Sequence, residues 1–424
     1  MTPLERARVR MSALGLWGPR QQMGRRWPMG CIALEVTQRC NLDCTACYLS
    51  ESSEALHDLP LEEIFRRIAA IRADYGAGAD VQITGGDPTL RPAGELETIV
   101  RRLREAGLRP TLFTNGIRAS RALLAQLAAA GLEAVAFHVD TTQRRRGYAD
   151  EAALNALRDE YLERSRGLRL AVYFNTTVTG ANLRDIPELV RFFVRRSGIV
   201  RLASFQLQAS TGRGVLGPRA PAVSIAAAIE SIRQGTGTRL NFDAMDVGHA
   251  RCNRYAMSLV AGERVYDVLD DDALVAETLE KTALTPLDRT RPWRALGAFA
   301  AALARHPRTL ARCLGWAARK AWSMRRDLVA ARGRVRKLSF FVHNFMDAGE
   351  LDAERVAACS FMVASAEGAV SMCAHNARRD DYLLRPAALI GGFWDPVSGR
   401  VYARPVVRPV RLTRRNARGR ARLA

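Results

Sequence analysis

The chain has 424 residues, 48% hydrophobic and 25% charged, which is ordinary for a globular protein and ample for a full core. Its net charge of +21 is uneven: residues 289–337 carry 14 Lys/Arg against Asp327 alone, residues 401–424 carry 8 Arg and no acid, and the remainder is neutral. No apolar run reaches the roughly 18 residues of a membrane span, and the short apolar stretch at 14–17 behind Arg6, Arg8 and Arg10 lacks the length and cleavage site of a signal peptide.

From residue 30 onward, short β-type runs alternate with longer helical ones. A strand over 32–36 leads directly into Cys40-Asn41-Leu42-Asp43-Cys44-Thr45-Ala46-Cys47-Tyr48. A helix over 61–75 follows, with Leu61, Ile64, Phe65, Ile68 and Ile71 on one face. A strand over 81–84 ends in Gly85-Gly86, and a helix is expected over 96–106. The next strand, 109–114, ends at Asn115-Gly116. The Ala/Leu helix over 120–130 is closed by Gly131. Strands over 134–139, 168–177 and 201–207 alternate with helices over 152–166 and 187–196. Six such units imply parallel strands with crossover helices. The fold class is therefore α/β, a partial (β/α)6 TIM-like barrel with a C-terminal extension and its site at the C-terminal strand ends.

The expected organisation is a basic N-terminal segment (1–29), the barrel core (30–215), a linker or extension (216–288), a basic amphipathic helical insertion (289–338), a Cys-containing block (339–403) and an Arg-rich tail (404–424) read as disordered. Gly212, Gly214, Gly217, Pro218 and Pro221 mark the exit from the core. Within the insertion, a helical wheel sets Arg305, Arg308, Arg312, Arg319 and Arg326 against Leu310, Cys313, Leu314, Ala317, Ala321, Met324 and Leu328, with Trp293, Trp316 and Trp322 along it. Such a basic block reads as a footprint for an anionic partner or as a solvated face.

The chemistry concentrates in Cys40, Cys44 and Cys47, spaced C-x3-C-x2-C. Three thiolates on one loop can hold three corners of a 4Fe-4S cluster and leave one iron open. A structural zinc site would want a fourth ligand at short spacing, and none follows closely. Disulfides pair poorly within so short a loop.

This loop resembles the cluster loop of the radical S-adenosylmethionine (radical SAM) superfamily, including its Cys-Asn-Leu start. The family often has an aromatic residue before the third cysteine; here that residue is Ala46, and the aromatic is Tyr48. The resemblance implies that S-adenosylmethionine (SAM) chelates the open iron and is split reductively to a 5'-deoxyadenosyl radical, with a flavodoxin or ferredoxin as electron donor. It also implies cofactor-binding roles for Gly85, Gly86 and Asp87 (where the family has Gly-Gly-Glu-Pro), Thr114 and Asn115, Asp140 beside His138, Asn175 and Gln206. Asn175, Thr177 and Thr179 share one strand face, as do Gln206 and Gln208. Each of these residues also has a purely structural reading as a turn or a satisfied buried polar group.

Cys252, Cys359 and Cys373, with His249 or His375, are candidates for an auxiliary cluster, against the alternative of buried free cysteines. The block containing Phe340 to Ala348, Cys359 and Cys373-Ala374-His375-Asn376 loosely resembles the tetraether-lipid-synthase-like branch. The expected activity is C–H activation on a lipid or other apolar substrate. The alternatives are a peptide- or cofactor-modifying maturase and, in another class, a non-catalytic Fe–S or nucleic-acid-binding protein; a nucleic-acid partner is disfavoured. The expected location is cytoplasmic, peripheral on an anionic membrane surface.

Overall fold

The computed structural model describes residues 1–216, 221–285, 287 and 291–406. The 407–424 part of the Arg-rich tail, and Gly217 and Pro218 of the core exit, lie outside the described residues. After helix α1 (Pro3–Ala13), six strands appear in chain order: β1 (Cys31–Thr37), β2 (Asp80–Gly85), β3 (Arg109–Thr114), β4 (Ala134–His138), β5 (Ala171–Val178) and β6 (Val200–Leu207). Each pairs parallel with the next. The crossover helices are α2 (Leu61–Tyr75), α3 (Ala93–Glu105), α4 (Arg121–Ala129), α5 (Leu154–Ser165) and α6 (Ile186–Arg195), followed by α7 (Ile225–Thr236).

The parallel run does not stop at the expected six strands. After the hairpin β7 (Asn253–Ala261) and β8 (Arg264–Asp267) come α8 (Asp272–Lys281), α9 (Pro292–Ala304) and α10 (Pro307–Ala330). The chain then returns to the sheet as β9 (Val335–Asn344), parallel to β6, and, after α11 (Ala353–Ala357), as β10 (Phe361–Ser365), parallel to β1. The C-terminal block thus supplies strands to both ends of the barrel sheet. Antiparallel β11 (Gly368–Ser371) and the β7–β8 hairpin complete an eleven-stranded sheet. The sheet is open: β9 and β10 are not paired. They meet through side chains instead, with Phe361 edge-on to Phe341 at 6.0 Å and to His343 at 4.7 Å. Helices α12 (Met372–Ala377) and α13 (Arg379–Leu383) then lead to a three-stranded sheet over Ala387–Leu389, Gly392–Trp394 and Val401–Tyr402.

Alternation along the strands decides which face is core. Ile32, Leu34, Val81, Ile83, Leu112, Val135, Phe137, Phe174, Phe205 and Phe340 are fully buried with the apolar faces of the helices, among them Ile64, Ile68, Leu96, Ile99 and Phe193. The opposite face retains partial exposure at Gln82, Thr111, Phe113, His138, Tyr173, Leu202, Gln206, Phe341 and Phe361. Residues on that face therefore line a concavity that reaches solvent.

Candidate active site

The cysteine loop leaves the C-terminal end of β1 and is pinned from four directions. Thr45 N–H donates to the Thr142 carbonyl (2.9 Å) after β4, and Asn115 Nδ2 after β3 donates to Asn41 Oδ1 (2.7 Å). Tyr48 O–H donates to the Gly85 carbonyl (2.5 Å) at the end of β2. After β6, Gly214 N–H donates to the Cys47 carbonyl (2.9 Å). The loop thus spans the mouth, held by the ends of strands that the fold brings together.

Gly85 and Gly86 serve this pinning. A Cβ on Gly85, whose φ is +126°, would lie 1.9 Å from the Thr37 carbonyl oxygen; one on Gly86 would lie 2.0 Å from that of Arg39. Gly86 N–H donates to Thr37 (2.9 Å) and Asp87 N–H to Arg39 (2.8 Å). Glycine is thus required here by contact with the root of the cysteine loop.

Two aspartates repeat one device. Asp87 accepts from Thr89 N–H (3.0 Å) and Thr89 O–H (2.5 Å), and reaches the next strand through Asn115 N–H (2.8 Å) and Thr114 O–H (2.9 Å). Asp140 accepts from Thr142 N–H (2.9 Å) and Thr142 O–H (2.5 Å), and reaches β5 through Thr177 N–H (2.7 Å). Both carboxylates are fully buried. Each caps a short 3-10 turn and ties one strand end to its neighbour. Their lone pairs are engaged with protein groups, so the arrangement makes them positioning residues. Burial alone would raise the Asp140 carboxyl, but His138 and the bonds from Thr142 and Thr177 outweigh it and hold it well below the usual carboxylate range.

His138 lies between the mouth and this tie. Its Nε2 is 2.7 Å from Asp140 Oδ2, and its Nδ1 is 3.1 Å from Asn175 Nδ2. Asn175 is buried, and its Oδ1 has no partner among the described residues. Gln206 stands opposite Thr177 on the neighbouring strand and is partly exposed. The strand order thus gathers His138, Asp140, Asn175, Thr177 and Gln206 into one patch.

Three contributors lay outside the sequence reading. Arg213 donates from Nη2 to Cys47 Sγ (3.3 Å) and from Nη1 to Glu54 (2.7 Å). Arg379 and Glu35 form a buried ion pair at 2.6 Å, and the Arg379 guanidinium lies 4.8 Å above the Tyr48 ring. The C-terminal block therefore braces the cysteine loop through Tyr48. Glu35 had a signal, as the one charged residue in an otherwise apolar strand; Arg213 and Arg379 carried none.

Whether the loop suits an iron–sulfur cluster rests on its donors. Burial pushes the Cys44 thiol far above its ordinary pKa and raises that of Cys40. Metal binding would release these protons. The sulfurs meet N–H donors from Arg213 on Cys47 and, at 4.0 Å, from Asn115 on Cys40. Three soft ligands with supporting donors fit a cluster that retains one open iron. No three His, Cys, Asp or Glu side chains are already drawn together as an ion site among the described residues.

The downstream cysteines have individual partners. Cys359 Sγ donates to the Phe361 carbonyl (2.9 Å), Cys373 Sγ accepts from Met346 N–H (3.4 Å), and Cys252 Sγ accepts from Arg355 Nε (3.3 Å). Burial pushes the Cys373 thiol up to about 12. His249 faces Glu354 at 3.3 Å, and His375 stacks on Tyr382 at 5.1 Å.

Residues 34–193 match the family model described as the radical SAM superfamily. The chain is 27% identical over 186 residues to a 7,8-dihydro-6-hydroxymethylpterin dimethyltransferase of Methanocaldococcus jannaschii, covering 42% of this chain and 36% of that one. It is 29% identical over 183 residues to a probable GTP 3',8-cyclase of Pyrococcus abyssi, covering 42% and 58%. It is 28% identical over 222 residues to a PqqA peptide cyclase of Xanthomonas euvesicatoria, covering 50% and 58%. The chain thus spans less than two thirds of the length of these relatives.

Proposed function

We propose that the chain is a radical SAM enzyme through residues 34–193, which match that family model, and that it cleaves SAM reductively and uses the resulting radical on a polar substrate, a peptide or a cofactor precursor. The observation that carries this reading is the three-cysteine loop suspended over a concave, strand-lined mouth. A 4Fe-4S cluster on Cys40, Cys44 and Cys47 would supply one electron, breaking a C–S bond of SAM to give methionine and a 5'-deoxyadenosyl radical, which takes a hydrogen atom from the substrate. A flavodoxin or ferredoxin fits as the source of that electron.

The chain's own residues bind and orient. Asp87 and Asp140 fix the strand ends. The Asn175 Oδ1 acceptor is available to a ribose hydroxyl of SAM, and the Gln206 amide to a ribose hydroxyl or the carboxylate. His138, held by Asp140 and Asn175, is partly exposed on the inner face. Further along the inner face lie Gln82, Thr111, Tyr173 and the Phe113 ring, and Phe341 and Phe361 pack against His343 where the two ends of the sheet meet.

That lining supports a polar or heterocyclic substrate over an acyl chain. The names of the three relatives also point to a pterin, a nucleotide and a peptide. The expectation of a lipid substrate drew on the loose resemblance of the C-terminal block to the tetraether-lipid-synthase-like branch, and on the basic insertion, which bears on where the chain sits and not on what enters its mouth. A second cluster at Cys252, Cys359 and Cys373 belongs to the same proposal, and forming it would require the three thiols to leave their separate partners. Iron content falling by about four atoms in Cys373→Ala would support it.

The substrate class is tested by deuterium transfer. Reduced enzyme and SAM are incubated with the lipid or the aqueous extract of cells grown in heavy water. Deuterium should enter 5'-deoxyadenosine from the aqueous fraction. Transfer from the lipid fraction alone would overturn the polar-substrate reading.

A further inference from the structure

The basic insertion forms two helices, α9 and α10, broken at Arg305–His306. The expected division into an Arg face and an apolar face does not match how α10 packs. Its inward stripe is Thr309, Cys313, Trp316, Lys320, Met324 and Asp327. Thr309 and Met324 are buried. Trp316 Nε1 donates to Asp270 (2.8 Å), and Lys320 pairs with the same carboxylate. Cys313 lies 3.4 Å from Thr278, and Tyr266 O–H donates to Asp327. At its near edge Arg312 pairs with Glu277. The inward stripe therefore combines polar Thr309, Lys320 and Asp327 with Cys313, Trp316 and Met324.

The opposite side of α10 is defined by spacing. Ala311, Leu314, Ala318, Trp322, Arg325 and Val329 recur every three or four residues and form the outward ridge. Leu314 is 62% exposed, Trp322 70% and Val329 80%. Arg308, Arg319 and Arg326 flank this ridge on one side, exposed and without an ion pair among the described residues. The helix's one acid, Asp327, is turned inward. Neighbouring α9 exposes Trp293 (84%) and Leu296 (55%). A water-facing helix would put its charges where these apolar side chains are.

We propose that the outward ridge of α10 docks on an anionic phospholipid surface, with Leu314, Trp322 and Val329 entering the headgroup region and Arg308, Arg319 and Arg326 meeting lipid phosphates. Charge decides the occupant: the flank is cationic and free of carboxylates, which suits a surface of dense negative charge. Tryptophan at its centre suits an interface that is apolar on one side and wet on the other. No described helix is long and apolar enough to cross a membrane, so the attachment is parallel to the surface. The inference needs no particular reaction at the mouth.

The test uses the full chain and vesicles of phosphatidylglycerol and phosphatidylcholine, with pure phosphatidylcholine as the control. The expected result is binding to the anionic vesicles alone, weakened by salt. Binding should fall at least about tenfold in the combined variant Arg308→Glu, Arg319→Glu, Arg326→Glu. Brominated lipid should quench tryptophan emission in the native chain and quench it less in Trp322→Phe. These side chains are exposed, so the variants should keep the native circular dichroism. Binding that survives the charge reversals, absence of binding to anionic vesicles, or quenching unchanged in Trp322→Phe would overturn the proposal. So would a dimer in light scattering that Trp322→Ala dissociates, since a second copy would then cover the ridge.

Discussion

The mouth of the barrel and the outer face of α10 handle polar groups in opposite ways. At the mouth, charge is turned inward and engaged: Asp87 and Asp140 accept from backbone and hydroxyl groups, and Glu35 pairs with Arg379 out of water. On α10, Arg308, Arg319 and Arg326 stand exposed beside apolar side chains. The difference separates two tasks. Buried, fully bonded charges fix geometry and leave little capacity for a partner. Exposed cations define no geometry and remain available to an external surface. On the proposals above, the chain's +21 charge, concentrated outside its neutral core, bears on where the protein sits, and its mouth on what it does.

The comparison is tested first where the mouth is braced. Arg379→Ala leaves Glu35 buried without its counter-charge and should destabilise the fold by about 3–5 kcal/mol, read from denaturant midpoints. It should also loosen Tyr48 and lower iron retention. Asp140→Asn should cost less, about 1–3 kcal/mol, because an amide keeps part of the hydrogen bonding. Its sign with pH is fixed: the Asp140 carboxyl is held below its ordinary value, so its stabilisation is present above that ordinary value and lost as pH falls through the lowered one. Acid titrations of wild type and Asp140→Asn should therefore draw together from about pH 4 and meet only near pH 2.

Arg213→Ala should leave the fold intact and act on the metal site. Removing an N–H donor from the Cys47 sulfur should lower the reduction potential of the reconstituted cluster, measured in a redox titration followed by electron paramagnetic resonance. The smallest effect on chemistry is expected on α10. The triple Arg→Glu variant should release 5'-deoxyadenosine in solution at the wild-type rate. A loss there would show that the helix and the mouth are coupled, contrary to their separation.

Local periodicity made the first half of the fold legible. The helix at Leu61–Tyr75 and the strand at Arg109–Thr114 were read to the residue, and the other five strands differed from expectation by a few residues at their ends. The eight-stranded run was not legible, because β9 and β10 join the sheet after long excursions and no local pattern names their neighbours. At the site, the cysteine spacing was self-contained, and Gly85, Asp87 and Asp140 followed strand ends. What sequence could not give was their local purpose. The glycines make room for Thr37 and Arg39, and the aspartates serve adjacent strands. Arg213 and Arg379 act across 166 and 344 residues of chain. On α10 the expected apolar face was split by the packing: Cys313 and Met324 turn inward and Leu314 outward, because Asp270 and Glu277 engage Trp316, Lys320 and Arg312.

The central claim is that Cys40, Cys44 and Cys47 hold a cluster that cleaves SAM. Its most direct measurement is anaerobic reconstitution with iron and sulfide, followed by dithionite and SAM, with chromatographic quantification of products. The wild type should yield 5'-deoxyadenosine and methionine in equal amounts. Cys44→Ala should yield neither and should lose the absorbance of the bound cluster near 400 nm, a wavelength on the order expected for cysteine-ligated iron–sulfur centres. Equal product formation by wild type and Cys44→Ala, or a wild type that binds iron through these cysteines and leaves SAM intact, would contradict the account.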